Sequence, residues 1–143
     1  MVDSAYIDTS ILGAYYCPES LSTKAEEALR GINAPVISGL TEVEFASLIT
    51  KKRRLKELTD RQVREVLDLF GTHVAEGYYR RMPLQSEHFT MARQMITSMD
   101  SILHTLDALH LAAAVSESLP LLTADQQLAT AAKRHKHKVM LIK

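Results

Sequence analysis

Four acidic residues, Asp8, Glu44, Asp107 and Asp125, carry the chemistry most legible in this chain. Asp8 closes the apolar stretch Ala5-Tyr6-Ile7, and Asp125 follows Pro120-Leu121-Leu122-Thr123-Ala124. Acids that end two parallel strands fall at the carboxyl edge of an open α/β sheet, where ligands bind. Each Asp also reads as a plain helix N-cap, since Asp is favoured where a strand hands over to a helix. Asp107 lies in the first turn of a helix, Leu106 to Ser116, that is apolar nearly all round. A first-turn Asp gains from the helix dipole, yet a carboxylate entering a buried helix is costly unless something compensates it. Glu44 shares a helical stripe with Leu40, Leu48 and Leu55, whereas Glu42 lies nearer Arg53. Glu44 is therefore read as the inward acid.

Carboxylates gathered without matching Arg or Lys repel one another, and a divalent cation is the simplest remedy. Oxygen ligation with no cysteine or histidine partner suits Mg²⁺ or Mn²⁺ better than zinc. Such ions activate water and steady the charge that develops when a phosphodiester is cut.

The elements that must position these acids alternate. Val2 to Asp8 reads as a strand, and Thr9 or Ser10 opens a helix over Ile11 to Tyr16, stopped by Pro18. A helix at Thr23 to Arg30 ends at Gly31, and Ala34 to Ser38 reads as a strand with Pro35 near its start. Ser38 or Gly39 opens a helix to Arg54; Thr59 or Asp60 caps another, through about Gly71. Arg81 to Leu84 suggests a very short strand, and Ser86 starts a helix reaching about Met99. Thr105 caps the Leu106 helix, Pro120 to Thr123 is an apolar strand, Ala124 to Arg134 is helical, and Val139 to Ile142 is a last strand. Alternating strands and helices imply a parallel sheet covered on both faces.

Composition sets outer limits. At 143 residues the chain reads as one domain, residues 1–143, large enough for a real core. No apolar run approaches the roughly 18 residues that span a bilayer, so no membrane role is expected. The single cysteine, Cys17, cannot form an internal disulfide and fits a cytoplasmic setting. Seventeen basic residues balance seventeen acidic ones. Only the local runs Lys51-Lys52-Arg53-Arg54 and Lys133-Arg134-His135-Lys136-His137-Lys138 suggest contact with phosphates, and such runs are most often solvated faces.

The ordered set Ile7-Asp8-Thr9-Ser10, Thr41-x-x-Glu44, Leu106-Asp107-Ala108-Leu109-His110-Leu111-Ala112 and Leu122-Thr123-Ala124-Asp125 resembles the four successive motifs of PIN-domain ribonucleases. It is similar in particular to VapC-type toxins of toxin–antitoxin pairs, over essentially the whole chain. The resemblance implies a PIN-like three-layer α/β sandwich with a parallel sheet of about five strands between helices. It implies an Mg²⁺- or Mn²⁺-dependent endoribonuclease in which Asp8, Glu44, Asp107 and Asp125 hold one or two ions, supported by Thr9 and Thr123. A small VapB-like antitoxin as inhibitor and a homodimeric state follow from the same likeness. Gln126 and Gln127 stand where some relatives carry a further acid, and His137-Lys138 stands where a glycine often precedes the last strand.

Other residues weigh less. His104 and His110 flank Asp107 at three-residue spacings that arise easily by chance. His135 and His137 read as surface, Cys17 as structural, and Tyr15, Tyr16, Tyr78, Tyr79 and the stripe Met91, Met95, Met99 as packing, with a partner helix as the alternative for the methionines. A receiver-like Mg²⁺-binding signalling domain would want adjacent acids after the first strand and a late lysine, and neither is present. An aspartyl-phosphate hydrolase would want an acid where Ser10 stands. A catalytically idle binding module would have little reason to keep all four acids.

Overall fold

A computed structural model describes residues 1–98 and 102–143. Its elements are β1 (Val2–Ile7), α1 (Thr9–Tyr16), α2 (Ser22–Arg30), β2 (Ile32–Ser38), α3 (Gly39–Arg54), α4 (Asp60–Ala75), β3 (Arg80–Met82), α5 (Ser86–Thr97), α6 (Thr105–Ser116), β4 (Leu121–Thr123), α7 (Gln126–Arg134) and β5 (Val139–Leu141). All five strands are parallel, in the order β3-β2-β1-β4-β5. The chain winds outward in one direction from β1 and then in the other, so the topological switch lies between β1 and β4. The crevice at their carboxyl ends is where such sheets take ligands.

Period-two alternation splits the core into two layers. Ala5 and Ile7 of β1, Ile37 of β2 and Leu122 of β4 face α1 to α4, where Ile11, Leu12, Phe45, Ile49 and Phe70 bury against them. Tyr6, Val36 and Leu121 face the opposite way, onto α5, α6 and α7. Helix α6 is almost wholly buried because it crosses this second face, which explains its apolar run. The expected three-layer arrangement is thus the observed one. Among the described residues no helix is long and apolar enough to cross a membrane.

Several boundaries differ from the sequence reading for physical reasons. Strand β2 begins at Ile32, which places Pro35 in its middle. β3 pairs with β2 only from Val36 onward, so the missing N–H at position 35 costs that ladder nothing. The N-cap position of α1 is Asp8, and Thr9 lies inside the helix with its hydroxyl turned elsewhere. Thr105 likewise belongs to the first turn of α6, after His104. Helices α3 and α4 open on reciprocal capping boxes, Ser38 with Thr41 and Thr59 with Gln62. In the methionine stripe Met95 is buried and Met91 half-buried against the second layer, the packing reading; Met99 lies outside the described residues.

Candidate functional site

Asp8 stands at the end of β1, the strand next to the switch. Although it occupies an N-cap position, its side chain makes no capping bond. Its Oδ2 accepts hydrogen bonds from Ser10 Oγ (2.6 Å) and Thr123 Oγ1 (2.8 Å). Those hydroxyls in turn accept the backbone N–H groups of Ala124 and Asp125, both at 2.9 Å. The loops after β1 and β4 are thereby stitched together around one carboxylate. Thr123 was expected as a supporting residue. Ser10, which does as much, was not, and its signal was its place two residues after Asp8, within reach of a short hydroxyl.

Asp125 does what the plain capping argument says: its Oδ1 accepts from the N–H groups of Gln127 (2.8 Å) and Leu128 (3.2 Å) at the start of α7. Asp107 lies in the first turn of α6. Burial raises its carboxyl above the ordinary value, and the charges of Asp125, Asp8 and Glu44 raise it further, against a lowering effect of His110. Asp107 thus lies within electrostatic reach of the other three acids.

Helix α3 separates its two candidate acids. Glu42 pairs with Arg81 of β3 through two 2.9 Å bonds, rather than lying near Arg53. The buried face of α3 is Thr41, Phe45 and Ile49, and Leu55 is exposed, so the stripe through Leu40, Glu44 and Leu48 runs along the rim of the core. Glu44 lines an open cleft of about 530 Å³ with Asp107, His104 and Leu106. A neighbouring groove of about 330 Å³ continues from Glu44 past Thr9 and Ser47 to Lys51.

Glu44 Oε1 accepts from Thr9 Oγ1 (2.7 Å) and from Nε2 of His110. Burial pushes the Glu44 carboxyl up, but the bond from His110, the charge of that ring and the Thr9 hydroxyl together bring it below its ordinary value. His110 is 1% exposed, and its Nε2 lies 3.9 Å from Asp8 Oδ1. Nδ1 of the same ring meets the hydroxyl of Tyr6 at 2.7 Å, which also meets Ser38 Oγ (2.8 Å) and Thr41 Oγ1 (3.3 Å). Burial, ahead of all other causes, pushes the Tyr6 phenol up to about 12, so it is neutral at ordinary pH. In the sequence alone the spacing of His110 from Asp107 is no more than chance would give. The usable signal was an imidazole amid Ala108-Leu109-Leu111-Ala112, because a buried ring nitrogen has to find a polar partner.

Four carboxylates offer the hard oxygen donors that Mg²⁺ or Mn²⁺ takes, and three of them act on the fourth, Asp107, through their charge. In position they are less ready: among the described residues no three His, Cys, Asp or Glu side chains form a preassembled metal site. Each of Asp8, Glu44 and Asp125 is turned toward a hydrogen-bond donor of the protein itself.

The four basic residues that end α3 have separate surroundings. Lys51 lies two turns on from Glu44, along the same groove. Arg53 Nε bonds Asp60 Oδ1 at 2.7 Å, Lys52 is half-buried, and Arg54 is exposed. In the later basic run His137 is half-buried, its Nε2 2.6 Å from the Leu119 carbonyl, a bond that ties the approach to β5 onto the end of α6 and corrects the surface reading.

The family model described as PIN domain matches residues 5–134. No curated protein sequence matches the chain. Among solved structures, FitAcB from Neisseria gonorrhoeae is similar with a TM-score of 0.76 at 15% identity, over 95% of this chain and 96% of that one. Mycobacterium tuberculosis VapC20, described as a sarcin-ricin loop cleaving toxin, gives 0.70 at 14% identity over 89% and 94%. VapBC2 from Rickettsia felis, bound to a DNA fragment from its promoter, gives 0.67 at 15% over 98% and 99%.

Proposed function

The chain belongs to the PIN domain family, and from that premise we propose that it is a divalent-metal-dependent endoribonuclease acting as the toxin of a toxin–antitoxin pair. The observation that carries this reading is the electrostatic convergence on Asp107 of Asp8, Glu44 and Asp125, from β1, α3 and the loop after β4, at the switch of the sheet. Asp8, Glu44, Asp107 and Asp125 would hold Mg²⁺ or Mn²⁺, with Thr9 and Thr123 fixing two of the carboxylates. A bound ion of this kind supplies activated water and neutralises charge on the scissile phosphate. The protein's own share is geometric. Ser10 and Thr123 engage Asp8 Oδ2, with Oδ1 left on the His110 side, and Thr9 and His110 both engage Glu44 Oε1.

The substrate is RNA, drawn along the groove that leads to Lys51, the residue of the basic run best placed to meet a phosphate beside Glu44. The partner is a VapB-like antitoxin, as the toxin–antitoxin complexes among the similar structures suggest, and the active species is a homodimer in the cytoplasm. Asp8→Asn and Asp125→Asn should each abolish Mg²⁺- or Mn²⁺-dependent cleavage of RNA by a folded protein. Glu44→Gln should do the same while Glu42→Gln, which loses only the Arg81 pair, cuts normally. Full cleavage by Asp8→Asn would overturn the assignment, and growth arrest by an Asp107→Ala variant as strong as by wild type would turn it toward a binding module.

A further inference from the structure

The residue that the carboxylate argument does not use as a ligand is His110. Its ring is 1% exposed, and both nitrogens are engaged by side chains rather than backbone carbonyls. On the inner side lie Tyr6, Ser38 and Thr41, all 0% exposed. On the outer side lies Glu44, whose side chain is 21% exposed and lines both the cleft and the groove. A buried polar chain thus runs from the ends of β1 and β2 through one ring to a single carboxylate oxygen. Packing alone would not require its outer end to be an acid of the candidate site.

We propose that His110 is a positioning residue for Glu44: anchored at Nδ1 by the Tyr6 hydroxyl, it donates from Nε2 to Oε1 and so fixes the direction in which Oε2 faces the cleft. The inference rests on the nuclease reading of that cleft. The donor roles follow from chemistry. An ionised Glu44 has no hydrogen to give, so Nε2 carries it, while Nδ1 shares a hydrogen bond with the Tyr6 hydroxyl, which also meets Ser38 and Thr41. Thr41, the other α3 member of the network, sits one turn before Glu44, so the same buried cluster holds both the helix and the carboxylate that projects from it. Three rotatable side-chain bonds otherwise leave a glutamate on a helix rim free to swing, and active-site groups must be held to within about half an ångström.

Two substitutions divide the ring into its halves. The amide nitrogen of Gln reaches about as far as Nε2, so His110→Gln keeps a donor for Glu44. Asn reaches only as far as Nδ1, so His110→Asn keeps a partner for Tyr6 and loses Glu44. Mn²⁺ affinity without RNA, by titration calorimetry, is read beside kcat and KM on a short RNA and the melting temperature. His110→Asn should lose roughly 10–100-fold in Mn²⁺ affinity or kcat, the range found when groups behind metal ligands are removed, with KM for RNA unchanged. His110→Gln, which keeps the donor to Glu44 but gives up the Tyr6 anchor, should lose clearly less than His110→Asn at a similar melting temperature. Losses that are equal in the two variants and follow their melting temperatures would overturn the role, as would wild-type values in His110→Asn. Should neither variant fold, Tyr6→Phe decides: the inference expects weaker Mn²⁺ binding from a folded protein, and unchanged binding refutes it. A wild-type chain that neither binds Mn²⁺ nor cuts RNA removes the nuclease reading itself, an outcome distinct from failure of the His110 role alone.

Discussion

Two tyrosine–histidine pairs stand in this fold, and their bonds are nearly identical. Tyr6 meets His110 Nδ1 at 2.7 Å, and Tyr16 meets His73 Nδ1 at 2.6 Å. What surrounds them differs. His110 is buried, and its second nitrogen reaches Glu44. His73 is half-exposed and lies among rings: stacked on Tyr78 at 4.9 Å and 25°, with Tyr16 packed against Phe45 and Phe70 and bonded to the Tyr79 hydroxyl at 2.7 Å. The first pair ends on a carboxylate at the sheet's carboxyl edge, the second in an aromatic cluster at the far end of α1. The same chemical pair therefore serves a site in one place and a core in the other, depending on what the remaining ring nitrogen and the phenol oxygen meet.

The comparison can be broken most forcefully in the aromatic cluster. Phe70 packs its ring 4.7 Å from Phe45 and 5.5 Å from Tyr16. Phe70→Ala should cost about 3–5 kcal/mol in urea unfolding, the usual toll for an excised core aromatic. RNA cleavage per folded molecule should stay near wild type. If activity fell well beyond the folded fraction, the two ends of α1 would be coupled and the separation drawn above would fail.

High pH tests whether the pairs share their physics. Burial, as the leading cause, pushes both Tyr6 and Tyr79 from 10.0 up to about 12. For an acid whose folded value is raised, the folded state holds the proton longer, so stability is full below pH 10 and is lost as pH climbs from 10 toward 12. For each phenol the loss is on the order of 2–3 kcal/mol by pH 12. Tyr6→Phe and Tyr79→Phe should each flatten the fall of stability over that window, by similar amounts, when denaturation is followed at pH 9, 10 and 11. A flattening in only one would show that the other phenol is less shielded than its burial implies.

Much of the fold is legible in the sequence. Caps at Ser38 and Thr59 and the apolar strands before Asp8 and Asp125 are local signals, and they placed most elements to within a residue or two. Asp8, Asp107 and Asp125 stand out as candidates because each follows a strand or sits in the first turn of an apolar helix, whereas Glu44, in the second turn of α3, is singled out only by its helical stripe and the family resemblance. The contacts that sort the remaining residues are long in sequence. Glu42 is drawn to Arg81, 39 positions away, and His110 to Tyr6, 104 positions away. No helical stripe encodes either. Leu106 shows the converse limit, since an apolar residue in an apolar helix proves 45% exposed on the cleft rim.

A smaller effect is expected at Asp107, on the side of the site. Burial and three neighbouring acids raise its carboxyl above the ordinary 3.8, so its ionisation opposes folding. The stability associated with the protonated group is present below 3.8 and is lost as pH rises through the raised value. Asp107→Asn should therefore be more stable than wild type at neutral pH, in metal-free buffer, and the advantage should vanish at pH 3. A variant less stable at pH 7 would mean that a first-turn helix-dipole gain outweighs the repulsion.

The smallest effect is the one that tests α1 as the link between the two pairs. Helix α1 carries Thr9, which bonds Glu44, at one end and Tyr16 at the other, and Gly13 lies between. A Cβ there would stand 2.8 Å from Leu48 Cδ2, the tip of a side chain one turn beyond Glu44 in the same groove. Ala gains up to about 1 kcal/mol over Gly in a helix interior, and displacing a side-chain tip costs a comparable amount, so Gly13→Ala should change stability by less than about 1 kcal/mol. The displaced Leu48 leans on the Glu44 side of α3, while the Phe45 face that meets Tyr16 is turned away from it. Cleavage should then fall severalfold while near-ultraviolet circular dichroism, which reads the tyrosine cluster, keeps its wild-type shape. A changed aromatic spectrum with unchanged cleavage would put the strain at the other end of the helix and reverse the assignment of what Gly13 protects.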